Sequence, residues 1–144
     1  MRPRLLLVLA ILAGGFAPAP FPRSPRSAKE VPDLKRMQGA WIIVERRSGG
    51  RLIANEKAEV TLRGNRWNFI FNGEVRSEWD VKLDPTASPR ALDYVSTRNS
   101  VNLLAIYRFE GDKLTVCYTQ SRKRPTDFRA ENNEWSMILR RAGR

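Results

Sequence analysis

The stretch "RMQGAW", Arg36 to Trp41, puts a glycine two residues before a tryptophan, where a β-strand begins. Upstream, Asp33-Leu-Lys-Arg-Met-Gln38 has the pattern of one short helical turn, with Asp33 expected as its N-cap. Downstream, the chain alternates with period two, the mark of half-buried strands. The junction is therefore a helical turn running straight into a strand. Glycine is the residue that lets a backbone bend so tightly there.

The alternation continues to the end of the sequence. Strands are expected at 40–47, 57–63, 66–72, 74–83, 90–95, 103–110, 113–119 and 134–141, with "RLIA" (51–54) as a short extra. The connectors "GN" (64–65), "NG" (72–73) and "EGDK" (110–113) suit hairpins. Asp84-Pro85 and Ser88-Pro89 break the chain after the longest strand. No helical segment of any length remains. About eight short strands joined by tight turns imply an all-β fold, either an antiparallel sandwich or an up-and-down barrel.

The aromatic residues favour the barrel. Of thirteen, Phe16 and Phe21 lie near the N-terminus and Phe128 in a loop. The other ten are Trp41, Trp67, Phe69, Phe71, Trp79, Tyr94, Tyr107, Phe109, Tyr118 and Trp135, each in phase with the more apolar face of its strand. In "EVRSEWDVKL", Val75, Trp79, Val81 and Leu83 face one way and the charged residues the other. Ten rings sharing one interior fit a small closed barrel.

With these strands in place, the helical turn followed by Gly39-x-Trp41 resembles the opening motif of lipocalin-type barrels. In that family the helix plugs one end, the tryptophan seals it from within, and a basic residue of the last strand packs beside the ring. "MILRR" ends the last strand here, so the resemblance implies Arg141, or failing that Arg140, stacked on Trp41 as a cation–π contact. A closer resemblance covers residues 33 to 141. The stretches "LKRMQGAW", "KLDPTASPRALDY", "LLAIYRFEGDKLTVCY", "RPTDF" and "MILRR" are similar to an uncharacterised lipocalin-like exported domain family expanded in planctomycete bacteria. Ala105 departs from that pattern, which has glycine before the Ile-Tyr pair. The resemblance implies a single antiparallel up-and-down lipocalin-like barrel of about eight strands, and export. It implies no activity.

The segments outside the barrel agree with export. "MRPR" supplies positive charge, Leu5 to Ala13 is an unbroken apolar run, and "GGFAPAP" supplies small residues, the order of a secretory signal. The run is shorter than the ~20 residues of a membrane-spanning helix; an uncleaved anchor or a buried helix is the competing reading. The domain organisation expected is a signal peptide over 1–19, a flexible linker over 20–32 rich in proline and serine, and the barrel over 33–144. Periplasmic or extracellular localisation follows, with no membrane span after processing.

Composition then narrows the chemistry. The formal charge is +11. Arg2, Arg4, Arg23 and Arg26 precede residue 28 with no acids, leaving 22 basic and 15 acidic residues, or +7, for the rest. These bases are scattered through strands and turns apart from "SRKR" (121–124) and "LRRAGR" at the end, the distribution of solvated loops, and no nucleic-acid partner is expected. There is no histidine, which removes the commonest metal ligand and general base. With one cysteine, Cys117, ordinary zinc sites and internal disulfides are excluded. No metal and no cofactor are expected.

Three functions remain to be weighed. An eight-stranded barrel can hold one small ligand in its mouth. Trp67, Phe69, Trp79, Tyr94, Tyr107 and Tyr118 would line that mouth, far from Gly39, Trp41 and Arg141 at the plugged end. "SRKRPTDF" (121–128) would fold over the rim, and Arg124 with its basic neighbours would favour an apolar body bearing an anionic group. Alternatively the rings pack solid, and the domain is a protein-interaction or envelope-associated structural module. Its docking surface would be an outer apolar stripe of Ile42, Val44, Leu104, Ile106, Cys117 and Ile138, since lipocalins cover that region with a helix that this sequence does not offer. The third function is enzymatic. Asp84, Asp93, Asp112 and Asp127 sit mostly at turns, where Asp serves the backbone, and serine or threonine nucleophiles have no histidine partner. A non-catalytic protein is expected.

Overall fold

A computed structural model describes residues 31–53 and 57–143. The expected signal peptide, and the linker up to residue 30, lie outside the described residues. The elements run α1 (Pro32–Met37), β1 (Gly39–Ser48), β2 (Arg51–Leu52), β3 (Ala58–Arg63), β4 (Arg66–Phe71), β5 (Glu74–Asp84), β6 (Ala91–Ser96), β7 (Asn102–Glu110), β8 (Lys113–Thr119) and β9 (Glu134–Arg141). Strands β3 to β9 pair antiparallel in chain order, β1 pairs with β3, and β9 returns to β1. The result is a closed eight-stranded antiparallel barrel of lipocalin-like form with one short helix. β2 is a two-residue annex on Arg47 and Ser48 of β1. Closure leaves no long unpaired edge for another chain to extend.

Because the strands alternate in direction, the two ends differ in content. One end holds α1 and the turns at 64–65, 85–90 and 111–112; the other holds the turns at 49–50 and 72–73 and the loops 97–101 and 120–133. The first end is sealed. Trp41, 2% exposed, donates from its indole Nε1 to the Met37 carbonyl at 2.8 Å. The Arg141 guanidinium lies over its ring at 4.0 Å and donates to the carbonyls of Gln38 and Arg36. Gly39 has φ +107°, and a Cβ there would lie 3.2 Å from Arg141 Nη1. The glycine is thus required twice, for its backbone angle and for the room it leaves the arginine.

The helix is tied to the turns around it by side chains of the same stretch. Gln38 donates to Gly64 O and accepts from Gly64 N, each at 2.8 Å. Arg36 donates to Gly111 O at 3.1 Å and stacks on Phe109 at 4.0 Å. Asp33 behaves differently from the expectation. The N-cap lies two residues earlier, at Val31, with Pro32 opening the helix, and no side chain caps it. The Asp33 carboxylate instead accepts from Tyr107 Oη at 2.7 Å and from Arg90 Nη1 at 3.2 Å. As the second residue of the helix rather than the one before it, Asp33 is not placed to cap and pins the helix to the barrel wall instead.

The interior holds Trp41, Ile43, Val60, Leu62, Trp67, Leu92, Tyr94, Ala105, Tyr107, Leu114, Val116, Met137 and Leu139, all buried. Burying a large apolar side chain contributes about 1.5–3 kcal/mol, so this set carries most of the stability of the fold. Two irregularities change which residues share it. On β5, register with β4 shifts at Arg76, so that Ser77 opposes Phe69 while Val75 opposes Ile70 on the outer face. Val75 is accordingly 52% exposed and does not join Trp79, Val81 and Leu83. On β1, register with β9 shifts at Val44, so that Glu45 opposes Ile138 and Arg46 opposes inward-facing Met137. A bulge adds one residue and reverses the phase beyond it.

The outer stripe is also rearranged. Ile106 and Cys117, expected on an open face, are buried under Ala130 and Phe128 of the 120–133 loop. Ile42, Val44, Leu104 and Ile138 are half-buried. "RPTDF" is the strap that does the covering. Arg124 Nη1 donates to Ala105 O at 2.7 Å and Leu92 O at 3.2 Å and pairs with Asp93 at 2.7 Å. Pro125 is buried, Asp127 accepts from Arg129 N at 2.9 Å, and Arg108 lies over Phe128 at 4.4 Å. Burial beneath this strap, with the Glu134 carboxylate nearby, pushes the Cys117 thiol up to about 12. The thiolate, the form that attacks electrophilic reagents, is therefore scarce at neutral pH.

Candidate functional site

The open end is where the interior meets solvent. A cleft of about 230 Å³ is lined there by Arg46, Phe69, Phe71, Ser77, Trp79, Leu103, Tyr118, Gln120 and Met137. Its walls come from strands on opposite sides of the barrel, β4 and β5 against β8 and β9, and the sheet holds them apart. Phe69, Trp79 and Tyr118 each contact Tyr94, with ring centroids 6.1, 6.2 and 6.0 Å away. These three rings thus separate the cleft from a deeper aromatic cluster. Tyr118 also stacks on Trp135 at 5.7 Å, nearly parallel. Interlocked rings of this kind hold their geometry in both edge-on and stacked contacts.

Of the residues expected to bind a ligand, Phe69, Trp79 and Tyr118 line this cleft. Trp67 and Tyr94 lie beneath it, fully buried and edge-to-face at 5.3 Å. Tyr107 is at the wrong end: β7 runs toward the plug, and the phenol is bound to Asp33 of the helix. Burial, and after it the hydrogen bond to Asp33, raises the Tyr107 hydroxyl above its usual range. Arg124 is outside the barrel, occupied by two carbonyls and Asp93. The loop carrying it does not fold over the rim, because Phe128 and Ala130 draw it down over the outer face of β7 and β8. Gly39, Trp41 and Arg141 come together at the opposite end.

Arg46 is the residue that alternation misses. Counted in twos from Trp41, positions 43, 45 and 47 would point inward and Arg46 outward. The bulge at Val44 reverses this. Glu45 and Arg47 then pair with each other on the outside at 2.7 Å, and the Arg46 guanidinium lies 5.1 Å from the Phe71 ring centroid in the cleft. The adverse cost of burying Glu45 was the one signal in the sequence that the phase must change.

Electrostatics divide the site into a dry floor and a charged wall. Burial raises the Tyr94 hydroxyl well above its ordinary range, with Tyr118 adding to the effect. Burial also raises the Tyr118 hydroxyl, while the charge and hydrogen bond of Arg46 pull it back. The Tyr94 hydroxyl and the Trp67 indole N–H, both buried, have no hydrogen-bond partner. A buried polar group left in that state costs about 1–3 kcal/mol. Larger clefts, of about 430 and 600 Å³, lie on the outside beside the Asp93–Arg124 pair and beside Asp112 and Arg140. Neither opens on the interior. Compared with protein-family models, with curated proteins and with solved structures, the chain matches none.

Proposed function

We propose that this is an exported, non-catalytic binding domain whose barrel takes a small apolar or amphipathic anionic ligand at its open end. The observation that carries the reading is the cleft walled by Phe69, Phe71, Trp79 and Tyr118. One end of the barrel is sealed by a helix, a tryptophan and an arginine, and the other is left open onto aromatic rings. Binding sites in proteins are mostly apolar concavities with a few placed polar groups, and this end has that composition. Export is supported by the charged, apolar, small-residue order of residues 1–19, and by the resemblance to exported planctomycete domains.

One observation favours a second reading, a structural or protein-interaction module. Most of the interior is filled by side chains, and Trp67 and Tyr94 show no exposed surface. In that reading the partner would meet the half-buried part of the outer stripe, Ile42, Val44, Leu104 and Ile138.

Tryptophan fluorescence separates the two. The protein recovered outside the cytoplasm, its N-terminus starting after about residue 17, is titrated with fatty acids and planar aromatic anions. Trp79 lines the cleft, whereas Trp41 and Trp67 are fully buried and Trp135 reports through its stack on Tyr118. A saturable change that is reduced in Trp79→Phe is expected. Flat responses to every compound would leave only the interaction module.

A further inference from the structure

The inward turn of Arg46 narrows the ligand class, and the argument rests on the binding reading above. The bulge at Val44 lies midway along the β1–β9 ladder and reverses the phase beyond it, which turns Arg46 from the outer face into the mouth. Bulges beside active sites re-aim side chains in this way. Among the described residues the ion pairs engage Arg47, Arg66, Arg76, Arg90, Arg108, Arg124 and Arg129, but no carboxylate lies within 4.0 Å of Arg46. Its neighbours are the Phe71 ring and the Tyr118 phenol. Neither neutralises a positive charge. Among the described residues, then, a half-buried cation lies against aromatic walls without a counter-ion, the arrangement of a receptor for an anion.

Size and shape specify the anion further. A cavity of about 150 Å³ holds one benzene ring, and each water in the liquid takes about 30 Å³. The cleft of about 230 Å³ therefore matches one six-membered ring plus a group of two or three heavy atoms. The planar fork of a guanidinium fits a carboxylate through two parallel hydrogen bonds. Phe69, Trp79 and Tyr118 offer the faces and edges a flat ring needs.

We infer that Arg46 binds the carboxylate of a single-ring aromatic acid seated between Phe71, Trp79 and Tyr118. The ring displaces water from the aromatic walls, and the carboxylate supplies a counter-ion that no described residue gives Arg46.

The probes are benzoate and its uncharged counterpart benzyl alcohol, titrated by calorimetry into the full protein and into Arg46→Gln. Wild type should bind benzoate roughly tenfold to a hundredfold more tightly than benzyl alcohol, the range for a charge-assisted hydrogen bond. Arg46→Gln should erase that preference, bringing the two probes to equal affinity. Arg46→Lys should fall between the two, because it keeps the charge and loses the fork. A readout independent of any variant's folding is the arginine side-chain Nε–Hε spectrum of wild type. One cross-peak should shift on adding benzoate, the one with nuclear Overhauser contacts to the Phe71 ring. Equal affinity of wild type for the two probes, or a benzoate preference that survives Arg46→Gln, would overturn the inference and leave the binding cleft standing. Failure of both probes to bind would overturn the cleft and the inference together.

Discussion

Trp41→Ala is expected to destabilise the protein by about 3–5 kcal/mol, the cost of deleting a buried large aromatic side chain. The ring is 2% exposed, and its indole nitrogen is the donor that fixes the Met37 carbonyl. Removing it leaves a cavity at the sealed end, takes the platform from under Arg141, and frees the helix that carries Asp33, Arg36 and Gln38. Those three side chains hold Tyr107, the 111–112 turn and the 64–65 turn respectively, so the loss should spread to both walls of the barrel. Urea unfolding followed by circular dichroism measures it. A change below about 1 kcal/mol, the scale of a surface substitution, would mean that the helix and not the tryptophan closes this end.

Arg141→Ala should cost about 2–3 kcal/mol, from hydrogen bonds by a charged donor and the stacked cation. The guanidinium satisfies the carbonyls of Arg36 and Gln38 where the helix ends, groups that no intrahelical donor can reach. Its neighbour Arg140 is exposed and faces away, so Arg140→Ala should change stability by less than about 0.5 kcal/mol. The comparison decides which of the two arginines belongs to the plug. Equal effects at both positions would show that the contact over Trp41 contributes nothing beyond net charge.

The fold was legible because its signals repeat. Eight apolar alternations separated by Gly, Asn and Pro have few solutions, and the in-phase rings of Trp67, Phe69, Tyr94 and Tyr118 required a shared interior. Gly39-x-Trp41 marked the plugged end, since φ +107° admits almost nothing but glycine. Where the reading failed, a local device had broken the period. The bulges at Val44 and Arg76 reverse the phase of everything beyond them, which moved Arg46 in and Val75 out. Nothing in the residues named those positions, although an inward Glu45 should have counted against strict alternation.

The 120–133 strap was illegible for another reason. Its packing on Ile106 and Cys117 is made by Pro125, Phe128 and Ala130, which follow no period. Tyr107 could have been placed correctly. Strand direction follows from counting turns, and β7 must end beside the helix.

Whether the open end is a receptor is tested most directly by a crystal structure of the protein grown with benzoate. A ring between Phe71, Trp79 and Tyr118 with its carboxylate on Arg46 is the predicted result. A closed mouth, with Arg46 paired to an acidic side chain of its own chain and no density among the rings, would contradict it.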